Sequence, residues 1–284
     1  MKEMAGRPGL GKTALVTGAS GGIGYELARC FAREGYDLVL VARSGEKLTR
    51  SARELEKVFG ISAKVIIKDL ISSRSPAEIF IELQQSSLPV DILVNNAGYG
   101  THGFFSETDL SDELDMMELN MAALTHLTKL FLREMLKRGR GKILNVASTA
   151  AFQPGPLMAV YYATKAYVLS FSQALAEELR GTGVTVTCLC PGPTSSDFQK
   201  RAHITGDILL LKGNVMDAKT VAEIGYRGLM KNKRVVIAGF RNRLFALGSK
   251  WAPASLTTRA IKFLQARREE DKNDKELLAH EKRA

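Results

Sequence analysis

Short apolar runs alternate with longer amphipathic stretches along most of this chain, and this alternation constrains the fold more than any other feature. Seven runs have the length and composition of strands, at residues 13–17, 38–42, 63–68, 92–94, 142–146, 184–189 and 234–237. Six stretches between them have the spacing of amphipathic helices, at residues 22–33, 46–58, 76–85, 111–138, 161–180 and 218–230. Several strands are continuously apolar, as in parallel sheets covered by helices on both faces. The pattern predicts an α/β protein with a doubly wound parallel sheet of about seven strands.

Chain length and composition favour one large domain with a modest extension. The chain has 284 residues, of which 45% are hydrophobic and 25% charged. We expect the domain at residues 10–240 and a basic helical extension with a charged tail at residues 241–284. No apolar run approaches 18 residues, so we expect no transmembrane helix. Residues 1–12 lack the apolar segment of a secretory signal.

The cysteine content indicates a reducing compartment. Cys30, Cys188 and Cys190 are the three cysteines, an odd number without a disulfide framework. Cys188 and Cys190 lack zinc-site spacing and lie in an apolar strand pattern, so we interpret them as structural. We therefore expect a cytoplasmic protein without a metal site.

The positive charge is confined to the C-terminal third. Residues 1–199 carry 21 basic and 21 acidic side chains, whereas residues 200–284 carry 19 basic and 9 acidic ones, which accounts for the net charge of +10. The basic residues are not interleaved with aromatic residues on a reading element, so we expect no nucleic-acid partner. Residues 241–268 mix basic and apolar side chains, a pattern that can rest on an anionic membrane surface. Because Pro253 interrupts this segment, we favour a helical element packed on the domain or on a neighbouring subunit.

Two glycine-rich stretches lie side by side near the N-terminus. Residues 6–13 (GRPGLGKT) match the phosphate-loop pattern G-x-x-x-x-G-K-T, which requires a strand before it and a helix after it. Here only five residues precede the stretch and a strand follows it, so we reject that interpretation. Residues 17–24 (TGASGGIG) join a predicted strand to a predicted helix, where glycines let the backbone approach a pyrophosphate. Residues 17–24 therefore predict a dinucleotide site.

A tyrosine and a lysine four residues apart predict an acid/base centre. At that spacing Tyr161 and Lys165 emerge from one face of a helix, one turn apart. A nearby lysine cation favours the phenolate, so we expect Lys165 to lower the pKa of Tyr161. Such a pair can exchange protons with a substrate near neutral pH.

Three motifs in order resemble those of the short-chain dehydrogenase/reductase family. They are T-G-x-x-x-G-I-G at residues 17–24, N-N-A-G at residues 95–98 and Y-x-x-x-K at residues 161–165, and the resemblance extends over about residues 12–239. It implies a Rossmann-like fold and a nicotinamide-dependent oxidoreductase that transfers hydride between NADPH and a carbonyl or alcohol substrate. A non-catalytic NADP(H)-binding sensor is the alternative, although such proteins typically lose the tyrosine or the lysine.

The resemblance implies four catalytic residues. Tyr161 would donate a proton to the substrate carbonyl or remove it from an alcohol, and Lys165 would lower its pKa and hold the nicotinamide ribose. Ser148 would hydrogen-bond the substrate oxygen. Asn120 would position a water in a proton relay to Lys165.

The same resemblance implies a set of cofactor-binding residues at the carboxyl ends of the strands. They are Gly18, Ser20, Gly21, Gly22, Ile23, Gly24, Arg43, Ser44, Lys47, Asp69, Leu70, Asn96, Ala97, Gly98, Tyr161, Lys165, Pro191, Gly192, Thr194 and Ser196.

The end of the second strand favours NADP(H) over NAD(H). NAD users generally carry an acidic residue there, which bonds the ribose 2′-hydroxyl. Here the strand ends at Ala42 and is followed by Arg43, whose guanidinium suits a 2′-phosphate, with Lys47 one helical turn further on. NADP users of the family often also carry a basic residue in the glycine loop, where this chain has Gly21.

Three loops are expected to line the substrate pocket, at residues 99–105, 149–160 and a mobile lid at residues 194–214. They supply Tyr99, His102, Phe104, Phe105, Phe152, Leu157 and Met158. This mostly apolar set suits a lipophilic ketone, aldehyde, alcohol or 3-oxoacyl compound, and we interpret His102 as a loop residue. The family usually forms dimers or tetramers through its long helices, so we expect a homodimer or homotetramer.

Overall fold

The computed structural model describes residues 6–195, 215–251 and 253–265, in which nine strands occur. They are β1 (Thr13–Thr17), β2 (Asp37–Ala42), β3 (Ala63–Ile67), β4 (Ile92–Asn95), β5 (Gly141–Val146), β6 (Val184–Cys190), β7 (Thr194–Ser195), β8 (Met216–Asp217) and β9 (Val235–Ile237). Seven form one parallel sheet in the order β3-β2-β1-β4-β5-β6-β9, and β7 pairs with β8. The predicted Rossmann-like, doubly wound parallel sheet of seven strands is confirmed.

Helices connect the strands and cover both faces of the sheet. The α-helices in the described residues are α1 (Gly22–Arg33), α2 (Gly45–Phe59), α3 (Ser75–Gln85), α4 (Leu110–Met117), α5 (Leu124–Lys137), α6 (Ala159–Glu178), α7 (Ala218–Met230), α8 (Phe240–Trp251) and α9 (Ala254–Gln265). A π-helical segment, Glu118–Ala123, joins α4 to α5, and a 3₁₀ turn, Thr149–Phe152, follows β5. The predicted helix at residues 111–138 is therefore observed as three helical segments that follow one another without a gap, the middle one π-helical.

The core lies in two layers, one on each side of the sheet. Strand β1 is wholly buried, and its alternate side chains point to opposite faces. Ala14 and Val16 belong to the layer that contains α1, α2 and α7, whereas Leu15 belongs to the layer that contains α3 and α5. Burial on both faces is the physical reason that β1 is apolar at successive positions.

Buried amides link the two central strands to the helices that carry the site. Asn95 in β4 donates to Asn145 Oδ1 in β5 at 2.9 Å and to Thr128 Oγ1 in α5 at 2.9 Å. Asn145 in turn donates to Ser172 Oγ in α6 at 3.0 Å. Because unpaired buried amides are costly, this network holds α5 and α6 in one register against the sheet.

Residues 6–12 form turns that lead directly into β1, so no helix follows the G-x-x-x-x-G-K-T stretch. In the part of the chain that the structure describes, Cys30, Cys188 and Cys190 are buried and form no disulfide. Among the residues that the structure describes, none form a cluster of His, Cys, Asp and Glu suited to a metal ion. No helix in the described part of the chain is both long and apolar enough to cross a membrane.

Candidate active site

The site lies where the winding of the sheet reverses. Strand β1 is paired with β2 on one side and with β4 on the other, so the loops after β1 and β4 diverge at the carboxyl edge. The loops after β5 and β6 reach the same edge, and together they surround a cavity of about 510 Å³. In doubly wound sheets this reversal is the place where ligands bind.

The glycine loop takes a shape that only glycine permits without strain. Gly18 has φ +65°, and a Cβ there would lie 2.9 Å from Asn96 Nδ2 and 3.0 Å from the Ala97 backbone. Asn96 Nδ2 donates to Thr17 O at 2.9 Å, and Thr17 Oγ1 accepts from the amides of Asn96 and Ala97, each at 3.0 Å. The N-A-G segment after β4 thus supports the loop after β1.

The N-terminus of α1 faces the same cavity. The helix begins at Gly22, and no described side chain caps its first turn, so its amides remain available to an anion at the positive end of the helix dipole. Ser20, Gly21, Gly22, Ile23 and Gly24 line this part of the cavity. The loop and helix therefore fit a pyrophosphate, the group that the sequence predicts there.

Tyr161 and Ser148 meet at the other end of the cavity. Their hydroxyl groups are hydrogen-bonded to one another, and Ser148 Oγ also accepts from the Ala150 amide at 3.1 Å. Burial raises the pKa of Tyr161 to about 12, and the Ser148 hydrogen bond lowers it only partly against that effect. The expectation that the pKa of Tyr161 is lowered is therefore wrong for the protein's own groups, and the phenol is protonated at neutral pH.

Lys165 is buried one turn further along α6. Its Nζ donates to Val146 O at 3.1 Å and lies 5.7 Å from the centroid of the Tyr161 ring. Burial lowers the pKa of Lys165 to about 8, with Cys188 and Cys190 acting weakly in the opposite direction. The ammonium of Lys165 is directed at the Val146 carbonyl, so it does little to lower the pKa of Tyr161.

Gly98 leaves room for the lysine and for Asn120. A Cβ at Gly98 would lie 2.8 Å from Asn120 Oδ1 and 3.4 Å from Lys165 Nζ. Asn120 lies in the π-helical segment, and its Nδ2 donates to Tyr99 O at 2.9 Å and to Thr164 Oγ1 at 3.0 Å. The Asn120 side chain thus ties the loop after β4 to α6, and π-helical segments of this kind are frequent at functional sites. The water-positioning role of Asn120 stays a prediction.

The opposite end of the cavity carries the charged residues after β2 and β3. The Arg43 guanidinium lies 3.4 Å from the Asp69 carboxylate, and both side chains are about half exposed. Ser44 and Lys68 line the cavity beside them, whereas Lys47 is exposed on α2 and is not among the lining residues. Lys68 was missed because the prediction assigned it to the strand as its last residue, whereas β3 ends at Ile67.

Most of the predicted cofactor and catalytic residues line this one cavity. They are Gly18, Ser20, Gly21, Gly22, Ile23, Gly24, Arg43, Ser44, Asp69, Leu70, Asn96, Ala97, Gly98, Ser148, Tyr161, Lys165, Pro191, Gly192 and Thr194. Asn120 lies behind the lining, and Ser196 lies outside the described residues, as does residue range 196–214 of the predicted lid. Thr194 Oγ1 donates to Gly192 O at 2.9 Å, which shapes the turn after β6.

Helix α9 contacts residues beside the Tyr161 end of the cavity. Gln265 Nε2 donates to Tyr162 Oη at 2.6 Å, and His102 Nε2 donates to Gln265 O at 3.1 Å. Of the seven predicted pocket residues, Met158 lines the cavity; it follows Leu157, a residue with φ +67°. Gln265 was missed, and nothing local to the sequence could have identified a contact across 103 positions.

Comparison with known proteins agrees with this geometry. A family model described as short chain dehydrogenase matches residues 12–205. The chain belongs to the short-chain dehydrogenase/reductase family, so it is a member of a family of oxidoreductases.

Three similar proteins illustrate the relationship. A very-long-chain 3-oxoacyl-CoA reductase of Anas platyrhynchos is 37% identical over 68% of this chain and 63% of its own length. Ketoacyl reductase HetN of Nostoc sp. is 36% identical over 65% of this chain and 64% of its own. A short-chain dehydrogenase from Sphingobium yanoikuyae, solved in complex with NADPH, superimposes with a TM-score of 0.76 at 33% identity, over 84% of this chain and 92% of the other. The chain thus spans less than two thirds of the length of these two curated relatives.

Proposed function

We propose that this protein is an NADP(H)-dependent reductase of lipophilic ketones, aldehydes or 3-oxoacyl compounds. The observation that carries the proposal is the hydrogen-bonded pair of hydroxyls, Ser148 and Tyr161, with the Lys165 ammonium one helical turn away. The pair faces the same cavity as the glycine loop. Two hydroxyls at one point can both donate to a carbonyl oxygen, which stabilises the negative charge that develops there during reduction.

The protonation state of the site favours reduction. When bound, a nicotinamide cofactor supplies the hydride that is added to the carbonyl carbon. Tyr161 donates its proton to the carbonyl oxygen, and because its pKa is about 12 it holds that proton at neutral pH. Ser148 holds the oxygen in place. Lys165, with a pKa of about 8, can return a proton to the phenolate between turnovers.

Arg43 supports NADP(H) rather than NAD(H) as the partner. It stands at the end of β2, where an acidic residue would bind a ribose diol, and Asp69 holds its guanidinium at 3.4 Å. Ser44 and Lys68 border the same part of the cavity. A half-exposed guanidinium can form charge-assisted hydrogen bonds to a 2′-phosphate. The Sphingobium relative, solved with NADPH, supports the same preference.

The substrate class rests on the apolar end of the cavity. Leu119, Ala150 and Met158 line it beside Tyr161 and Tyr162. Such a surface suits an alkyl or acyl chain next to the reacting carbonyl. The names of the two curated relatives, a ketoacyl reductase and a very-long-chain 3-oxoacyl-CoA reductase, support a 3-oxoacyl compound.

The test is oxidation of NADPH and of NADH by the purified protein against ketones, aldehydes and 3-oxoacyl thioesters of increasing chain length. We expect turnover that is faster with NADPH and improves with acyl chain length. Tight NADPH binding without turnover of any panel member would favour the non-catalytic sensor instead. The predicted homodimer or homotetramer is checked by light scattering on the same sample.

A further inference from the structure

The C-terminal helices belong to a long segment without acidic residues. Residues 224–268 contain eleven lysines and arginines and no aspartate or glutamate. Helices α8 and α9 both lie within this segment. Five of these eleven basic residues lie in α8 and α9, and basic side chains without acidic neighbours in the same helices attract anionic partners.

The outer face of α8 is apolar with basic edges. Phe240, Leu244 and Leu247 follow one another at intervals of four and three residues, which places them in one stripe along the helix. All three are exposed, Phe240 by 75% and Leu244 by 56%. Helical geometry places the exposed Arg241 on one side of this stripe and the exposed Arg243 on the other. This is the pattern of a helix that lies in a membrane interface.

The inner face of α8 is anchored on the domain. Asn242 Nδ2 donates to Ala238 O at 2.7 Å, and Ala246 is fully buried. Ser249 Oγ lies 3.5 Å from Phe152 O, in the 3₁₀ turn after β5. The orientation of the helix is therefore fixed by the fold, and its apolar stripe faces outward.

Helix α9 repeats the arrangement after Pro253. Leu256 and Phe263, seven residues apart, are exposed by 59% and 57%, and the exposed Arg259 and Lys262 lie between them along the chain. Its inner face carries Ile261, which is buried in the cluster that includes Met158, Tyr161 and Tyr162. Both helices thus cover the substrate side of the domain and turn apolar and basic side chains away from it.

We propose that the outer faces of α8 and α9 form a docking surface for an anionic lipid bilayer. Charge distinguishes the two simplest partners for this surface, a second copy of the chain and an anionic bilayer. A two-fold contact through this surface would place one basic segment against its copy, and with no acidic residue in 224–268 the segment offers no opposite charge to compensate. An anionic bilayer supplies both the opposite charge and the apolar layer that the exposed stripes require.

The loop before α4 lies beside this surface. His102 is bonded to Gln265 at the end of α9, and the exposed rings of Phe104 and Phe105 follow within about 10 Å of it along the chain. The docking surface thus borders the substrate end of the cavity. The inference concerns lipid binding alone and does not depend on which reaction the protein catalyses.

The test is flotation of the full-length protein with vesicles of phosphatidylcholine, with and without about 30% phosphatidylglycerol, at about 0.02 M and about 0.5 M salt. We expect binding to the anionic vesicles at low salt and at least about tenfold weaker binding at high salt or to neutral vesicles. Absence of binding to the anionic vesicles at low salt would overturn the proposal.

Two sets of variants locate the surface. The double variant Phe240→Ser/Leu244→Ser is expected to weaken binding about tenfold or more, because it removes two inserted side chains. The matched control, Val58→Ser/Ile81→Ser, changes two exposed apolar residues of α2 and α3 and is expected to bind as the wild type does. NADPH binding by each variant confirms that it is folded.

A second double variant tests the basic residues on either side of the apolar stripe of α8. Arg241→Gln/Arg243→Gln is expected to weaken binding to anionic vesicles by roughly 25-fold at low salt. Vesicle binding unchanged in both α8 variants would place the lipid contact elsewhere, for example in residues 266–284, and would refute the proposal. An oligomer in light scattering that the α8 variants dissociate, without lipid binding, would refute it in favour of an interface between copies.

Discussion

Lys165 is a buried cation, so its replacement by methionine separates its contribution to activity from its cost to stability. Methionine has nearly the same length and no charge, which keeps the packing against Tyr161. We expect Lys165→Met to abolish turnover and to stabilise the fold at neutral pH. Residues at functional sites often carry such a cost to stability.

The size of the effect follows from the pKa. Burial lowers the pKa of Lys165 from 10.5 to about 8, and each unit corresponds to 1.36 kcal/mol, so holding the charge inside costs about 3 kcal/mol. The unfolded chain binds the proton more tightly than the folded protein, so the cost is complete below pH 8 and disappears as pH rises above 10.5. The lost hydrogen bond from Lys165 to Val146 O offsets about 1–2 kcal/mol of the gain.

The assay is urea unfolding of wild type and Lys165→Met at pH 7 and pH 10. Comparing the two pH values removes every contribution that does not change with pH, including the pH-independent part of the hydrogen bond to Val146 O that the variant lacks. We expect the stability advantage of the variant to be about 2–3 kcal/mol larger at pH 7 than at pH 10. Lys129→Met, which changes an exposed lysine of α5, is the control and is expected to show the same difference at both pH values.

An advantage of Lys165→Met that is equal at pH 7 and pH 10 would refute the reasoning. It would mean that the ammonium of Lys165 is solvated or paired in the folded protein as well as in the unfolded chain. A larger advantage at pH 10 would reverse the sign of the pKa shift and would refute it equally.

Three further changes test other parts of the site. Gly98→Ala is expected to lower kcat at least about tenfold and to weaken NADPH binding less than that, because the added methyl group would lie 2.8 Å from Asn120 Oδ1 and would touch Lys165 Nζ at 3.4 Å; steady-state kinetics and fluorescence titration check this. Arg43→Asp is expected to weaken NADPH binding about tenfold or more and to improve NADH binding, whereas the control Arg53→Asp, on the exposed surface of α2, is expected to leave both unchanged; titration with each cofactor decides. Gln265→Leu is expected to raise KM for substrate more than it lowers kcat, because it frees the Tyr162 ring; a change confined to NADPH affinity would contradict this role.

The hydrophobic pattern of the sequence was sufficient to predict the fold, because burial between two layers of helices determines the apolar run of each strand in the sheet. Strands such as β1 are apolar at successive central positions, Ala14 to Val16, since both faces are covered. The predicted strand ends differ from the observed ones by at most one residue. The strands β7 and β8 have two residues each, too few for any periodicity to show. The π-helical segment also left no trace in the hydrophobic pattern; its Asn120 bonds Tyr99 and Thr164, which belong to other elements.

The residues of the candidate site could be predicted where they belong to a local motif. Properties that depend on burial or on long-range contacts could not be predicted. Tyr161 and Lys165 were recognisable from their spacing, and Gly18 from its place between a strand and a helix. The direction of the Tyr161 pKa shift was wrong because spacing reveals that an ammonium is near but not that both groups are desolvated. Gln265 reaches Tyr162 from the far end of the chain, and only the folded structure brings the two together.

The most direct test of the proposed function is the turnover of Tyr161→Phe, measured as NADPH oxidation with the best substrate and paired with NADPH affinity. The phenol supplies the proton, so we expect kcat/KM to fall at least about a hundredfold while NADPH affinity changes far less, because the other residues that line the cofactor cavity are kept. Tyr167→Phe, on the same helix, is expected to retain activity. Turnover by Tyr161→Phe at the rate of the wild type would contradict the assignment of Tyr161 as the proton donor and, with it, the proposed mechanism.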